Sequence, residues 1–190
     1  MTDLLTVNDL KVAFDVGGSA VKAVDGVSFR IAPGGTVALV GESGSGKTVV
    51  SHSIMGILPK TANITNGEIL FRDSETPDTV IDIATLDRDG KRMRNIRGGR
   101  VSIIFQEPMT SLSALHTIGD QVSEALFLHR DVSRAEGMEL TAEMLRLVGF
   151  PDPAKALKTY SFELSGGLRQ RAMIAMAMAC RPALLIADEP

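Results

Sequence analysis

Residues 41 to 48 read Gly41-Glu42-Ser43-Gly44-Ser45-Gly46-Lys47-Thr48, and residues of these types at this spacing do phosphate chemistry. The glycines let successive backbone N–H groups turn inward around an oxyanion. A helix opening at Lys47 adds the partial positive charge of its N-terminus. The lysine reaches the β- and γ-phosphates of a nucleotide, and the threonine hydroxyl is a ligand for Mg²⁺. The motif has meaning only between a strand and a helix. Val37-Ala38-Leu39-Val40 before it reads as a strand buried on both faces. After it, Val50, Ile54, Ile57 and Leu58 fall at helical spacing, and Pro59 ends the run.

A second group of chemical residues closes the chain. Asp188 and Glu189 follow the apolar run Leu184-Leu185-Ile186-Ala187. At the carboxyl end of a parallel strand, where ligand crevices lie, an aspartate can hold Mg²⁺. A neighbouring glutamate can orient or deprotonate a water. Taken alone, two acids at a strand end are as often simply solvated. A third group, Leu164-Ser165-Gly166-Gly167, opens a helix rich in alanine and methionine and is another anion-binding shape, or else a glycine-punctuated cap. One γ-phosphate does not need two such sites in one chain, whereas two copies packed head to tail would use both.

The elements that position these groups alternate in type. Residues 4 to 31 and 64 to 85 have the loose alternation of antiparallel strands, with Gly17-Gly18 and Asp25-Gly26 as turn signals. Arg88 to Arg100 is strongly basic and reads as a solvated helix and turn. Val101 to Phe105 is another buried strand. From Thr117 to Phe150 the pattern is helical. Ile118, Val122, Ala125, Leu126 and His129 share one face, Ser133 and Glu136 mark a helix start, Leu140, Met144, Leu147 and Val148 share another face, and Gly149 with Pro151 ends it. Ala183 to Ala187 is the last strand.

Composition narrows the classes. With 20 basic and 23 acidic residues the net charge is −3, and no basic stripe marks a nucleic-acid partner. One cysteine, Cys180, excludes an internal disulfide. No apolar tract approaches the ~20 residues of a membrane-spanning helix. His52, His116 and His129 lack metal-ligand spacing and read as structural, and Cys180 as a small core residue.

In order and spacing these motifs resemble the ATP-binding cassette (ABC) ATPases over the whole chain: Walker A at Gly41–Thr48, a Q-loop at Gln106, the signature at Leu164–Gly167, and Walker B at Leu184–Glu189. The tracts Phe105-Gln106-Glu107-Pro108-Met109-Thr110-Ser111-Leu112 and Arg169 to Ala177 resemble the oligopeptide, dipeptide, nickel and glutathione importers. Ser113-Ala114 stands where that pattern has Asn-Pro, and Ser161-Phe162 where it has Pro-His.

The resemblance implies an α/β fold: a P-loop NTPase core with a parallel sheet (36–60, 100–107 and 163–190), an N-terminal antiparallel β lobe (1–35 and 64–85) and a helical lobe (108–162). It implies that Phe14 stacks on adenine, although Phe14 also reads as a strand core residue. It implies that Gln106 contacts Mg²⁺ and the attacking water, and that Ser165, Gly166 and Gly167 contact the nucleotide of a second cassette. Cofactors would be ATP and Mg²⁺. Partners would be a second nucleotide-binding domain, membrane permease subunits and, indirectly, an extracytoplasmic solute-binding protein. The place would be the cytoplasmic face of the inner membrane, held peripherally. A soluble ATP switch of the same superfamily is the rival reading, and a binding module without catalysis describes the given chain at the least. The chain is expected to be cut after Walker B, so that the family's D-loop, switch histidine and last core strands are missing and the 190 residues alone hydrolyse little ATP.

Overall fold

The structure, a computed structural model, describes residues 2–73, 75, 76, 78–106 and 111–189. The Q-loop residues Glu107, Pro108, Met109 and Thr110, and Pro190 after Walker B, lie outside them. The chain divides into two compact units, Met1–Arg97 and Gly98–Pro190.

The first unit is built on a four-stranded antiparallel sheet in the order β2-β1-β3-β4, formed by β1 (Leu5–Val16), β2 (Ser19–Ile31), β3 (Ala62–Arg72) and β4 (Val80–Asp82). Gly17 and Gly18, both at positive φ, make the two-residue turn between β1 and β2, which matches the right-handed twist of the flanking strands. Asp25-Gly26, expected as a turn, instead lies within β2. Gly26 has φ 85°, and the β1–β2 register shifts beside it, between Leu10 and Lys11. A bulge uses the same glycine freedom as a turn, so the sequence signal was right about conformation and wrong about chain reversal. Leu5 and Val7, Leu10 and Val12, and Ile69 and Phe71 are fully buried at alternating positions, the phase on β1 changing at the register shift between Val7 and Leu10.

Helix α1 (Lys47–Met55) follows the phosphate loop. It ends three residues before the expected Leu58, because Gly56 takes a left-handed conformation and caps it. The run Val37–Val40, expected as a strand buried on both faces, is neither. Apolar sequence makes a strand only when a neighbour completes the ladder, and no described strand pairs with these residues. Val40 is 89% exposed, and Val37 and Leu39 are also exposed.

The second unit holds a parallel pair, β5 (Val101–Ile104) and β6 (Leu184–Ala187), in the register Val101↔Leu184 to Ile104↔Ala187. All four residues of β5 are buried, Ser102 among them with its hydroxyl donating to Gly98 O at 3.4 Å. In chain order, and after α2 (Lys91–Ile96) of the first unit, come α3 (Ile118–His129), α4 (Arg134–Leu147), the single turn α5 (Pro153–Ala156) and α6 (Gly166–Met178). Thr117 caps α3 and Ser133 caps α4, each side chain accepting the N–H three residues on. Ile118, Val122, Leu126, Leu145, Phe150, Leu164 and Ala172 pack as one core. Leu145 fills it, whereas Leu147, expected on the buried face, is 69% exposed. The buried stripe of α4 runs through Thr141, Met144 and Leu145, and Leu147 lies ~200° around the helix from Leu145.

Candidate functional site: phosphate loop, strand-end acids and signature

In the first unit, Gly41 to Gly46 forms an exposed loop that turns directly into α1. Ser45 N–H donates to Glu42 O at 3.2 Å, and Gly44 has φ 78°. Gly46 is the N-cap at φ 93°, and no side chain caps the helix. A side chain at Gly46 would start 2.5 Å from the Ala23 backbone oxygen of β2, so the sheet itself demands glycine there. Lys47 Nζ folds back across the loop and donates to Gly41 O at 3.0 Å and Glu42 O at 2.9 Å. A glycine-rich loop at a helix N-terminus, crossed by an ammonium, has the form of a cradle for an oxyanion. Glu42, Ser43, Ser45 and Thr48 are exposed, Thr48 in the first turn of α1.

Phe14 is half-buried on β1, opposite Val21 and Ala62. Two residues back along the strand, across a register shift, Val12 pairs with Val24, whose Cγ2 lies 3.4 Å from where a Gly46 side chain would begin.

In the second unit, parallel pairing brings two carboxyl ends together. Asp188 N–H continues the ladder to Ile104 O at 3.0 Å. One step further, Gln106 Nε2 donates to Glu189 Oε2 at 2.7 Å. Asp188 is buried, and Glu189 is exposed with φ 50°. A non-glycine residue in the left-handed region carries strain of the order of ~1–3 kcal/mol, and such residues cluster at functional sites. The two expected catalytic residues, Gln106 and Glu189, are therefore in contact, with the expected Mg²⁺ ligand Asp188 next to Glu189 in the chain.

Ser165 caps α6, its Oγ accepting the Leu168 N–H at 3.4 Å. Leu164 is buried in the core, while Ser165, Gly166 and Gly167 are exposed, and added side chains at the two glycines would meet nothing within 4 Å. The signature is thus an open surface.

Sequence reasoning missed Arg88 and Arg97. The basic segment Arg88 to Arg100 reads as solvated, yet Met93 and Ile96 are buried and two of its arginines are consumed internally. Arg97 donates to Met55 O at 3.1 Å and Gly56 O at 3.0 Å, and so caps the carbonyl end of α1. Arg88 donates to Leu58 O, Pro59 O and Ala62 O. The available signal was the pairing of these arginines with apolar Met93 and Ile96 at helical spacing, which marks a segment packed on one side.

Burial pushes the Cys180 thiol up, partly offset by the Arg130 charge, and Sγ donates to Ala125 O at 3.3 Å. Burial also pulls the His129 imidazole down.

Residues 24–190 match the ABC transporter family. The chain is similar to a probable peptide ABC transporter ATP-binding protein of Sinorhizobium fredii, 48% identical over 98% of this chain and 53% of the relative. It is also similar to the dipeptide transport ATP-binding protein of Bacillus subtilis, 48% identical over 100% of this chain and 54% of the relative. A peptidoglycan transport ATP-binding protein of Agrobacterium fabrum is 52% identical over 98% of this chain and 33% of its own length. The chain spans about half the length of the first two curated relatives and a third of the last. A dimeric ATP-binding cassette in a post-hydrolysis state with ADP and Pi aligns at TM-score 0.80 and 25% identity, over 97% of this chain and 73% of that one. Phosphate loop, strand-end acids and signature stand on a mixed α/β fold shared with these cassettes, and the chain belongs to the ABC transporter family.

Proposed function

We propose that this chain is the ATP-binding and ATP-hydrolysing part of a protein that energises import of peptides, or a related small solute, through a membrane ABC transporter. The observation that carries hydrolysis is the meeting of Gln106 with Glu189 at the ends of paired parallel strands, beside buried Asp188. The relatives named for peptide, dipeptide and peptidoglycan transport support a peptide-like cargo and leave its identity to other subunits. No helix among the described residues is long and apolar enough to cross a membrane. Attachment to the cytoplasmic face of the membrane through permease subunits is part of this reading. The dimeric state of the solved cassette supports a second cassette as partner, with a solute-binding protein engaged only indirectly. A P-loop core, an antiparallel β lobe and a helical lobe over 108–162 are the proposed division of labour within the chain.

The roles follow from residue chemistry. Gly41 to Lys47 bind the phosphates through backbone N–H groups and the ammonium. Phe14 offers a π-face to the adenine. Thr48, Gln106 and Asp188 are hard oxygen donors of the kind Mg²⁺ takes, and the ion, when bound, neutralises phosphate charge. Glu189 accepts the proton of the attacking water or orients it, and Gln106 holds the carboxylate for that task. Ser165, Gly166 and Gly167, open to solvent, complete the site of the second cassette. The exposed run Val37–Val40 supports little turnover by these 190 residues alone. A steady-state assay of the chain beside the intact subunit checks that point.

The test of the whole reading is Glu189→Gln in the intact subunit. The amide keeps shape and removes the base, so MgATP is retained, turnover stops, and an ATP-dependent dimer persists on gel filtration. Undiminished hydrolysis would assign the base elsewhere.

A further inference from the structure

Two segments of the second unit, about forty residues apart in sequence, run side by side. Ile118 N–H donates to Thr159 O at 2.8 Å, Gly119 N–H donates to Leu157 O at 3.2 Å, and Thr117 bridges to Tyr160. Towards the signature the contact passes to side chains. Ser161 is buried, and its Oγ–H donates to Ser113 O at 3.0 Å. The backbone of Ser113 is held from the other side by Gln121, also buried. Gln121 Oε1 accepts Ser113 N–H at 2.7 Å, and its Nε2 donates to Ser113 O at 3.1 Å and His116 O at 2.9 Å. The carbonyl of Ser161 accepts from Arg169 Nε at 2.8 Å, in the opening turn of α6.

An unbroken series of hydrogen bonds therefore runs from Gln121 through Ser113 and Ser161 to Arg169. Its middle members, Ser113 and Ser161, are also the two places where the sequence departs from the importer pattern, and they meet in space. A proline at 161 would have no hydroxyl to donate.

We infer that Ser161 is a positioning residue, which ties the loop at 113–116 to the opening turn of α6 and so sets the placement of Ser165, Gly166 and Gly167. The glycines meet nothing around them, so the restraint on this turn comes from its flanks. One flank is Leu164, packed in the core. The other is Ser161 with Arg169. Ser161 is itself buried, and its half-buried bond to Ser113 has one donor and one acceptor held by packed elements, which suits it to hold a surface turn in register. The inference rests on the reading of the signature as the part that completes a partner's nucleotide site.

The test compares four variants in the intact subunit, reading kcat, KM for ATP, nucleotide affinity of the monomer and melting temperature. Ser161→Ala is expected to lower kcat about fivefold, the size of one lost neutral hydrogen bond, with monomer affinity unchanged. Ser161→Thr keeps the hydroxyl and restores kcat. Thr141→Val removes another buried hydroxyl of the same unit, bonded to Gly137 O within its own helix. It is expected to lower the melting temperature comparably and leave kcat alone. Ser165→Arg blocks turnover without loss of ATP binding. If Ser161→Ala affects kcat no more than Thr141→Val while Ser165→Arg still blocks turnover, the positioning role is overturned and the functional reading stands. If Ser165→Arg also leaves turnover intact, the reading of the signature falls, and this inference with it.

Discussion

Lys47 makes two bonds within its own loop, to Gly41 O and Glu42 O, and both oxygens belong to the backbone that must also wrap a phosphate. The lysine therefore shapes the cradle as well as charging it. Lys47→Ala removes a charge-assisted contact worth ~1.5–3 kcal/mol and leaves the loop unclosed, so MgATP affinity falls by roughly 10- to 150-fold or more. Gly46→Ala acts differently. Its charge is unchanged, but the added carbon collides with Ala23 O and the φ of 93° is unfavourable, so both affinity and melting temperature fall. Isothermal titration beside thermal melting separates the two. A Lys47→Ala subunit with normal ATP affinity would remove the phosphate-loop assignment.

The elements are joined by devices at their ends. Arg97 closes the carbonyl end of α1 while the phosphate loop forms its beginning, so the helix is held at both termini. Helix α3 has a weaker arrangement at its close. His129 sits in the last turn, where the helix dipole favours a cation, yet burial wins and lowers its pKa below the ordinary 6.5. The sign follows from proton counting. Below that ordinary value the unfolded chain binds more protons than the folded one, so folding stability rises with pH through the window under 6.5 and is lost as the pH falls. Melting curves from neutral to mildly acidic pH are expected to show this loss, and His129→Gln to flatten it. An equal slope in both proteins would place the titrating group elsewhere.

Across the whole molecule, legibility followed locality. The turn at Gly17-Gly18, the caps at Ser133 and Ser165, and the strand ending in Asp188 and Glu189 are decided within a few residues, and the sequence carries them. What it did not carry depends on partners. Val37–Val40 has the composition of a core strand but no described neighbour to complete it. Arg88 and Arg97 look like solvent charges until the carbonyls at the end of α1 come within reach. Leu147 and Leu145 differ by two positions, and only the packing of α4 decides which is inside. The candidate site divides the same way. Its residue types could be read directly, whereas the Gln106–Glu189 bond and the Ser113–Ser161 bond are facts of tertiary structure.

The pairing of Val101–Ile104 with Leu184–Ala187 also works as a ruler. Four matched positions set how far each strand reaches before its polar residues begin, and the Asp188–Ile104 bond marks the last graduation. A ruler of this kind tolerates changes of side chain better than changes of length. One residue inserted after Ile103 would reverse the faces of everything beyond it and carry Gln106 ~3.3 Å past Glu189. Such an insertion is expected to abolish ATP hydrolysis while the far-ultraviolet circular dichroism of the intact subunit stays near normal. The same insertion between Asp78 and Thr79, ahead of the short strand β4, is expected to leave turnover unchanged. Measuring both insertions together would show whether distance along the chain, rather than composition, is what this pair of strands conserves.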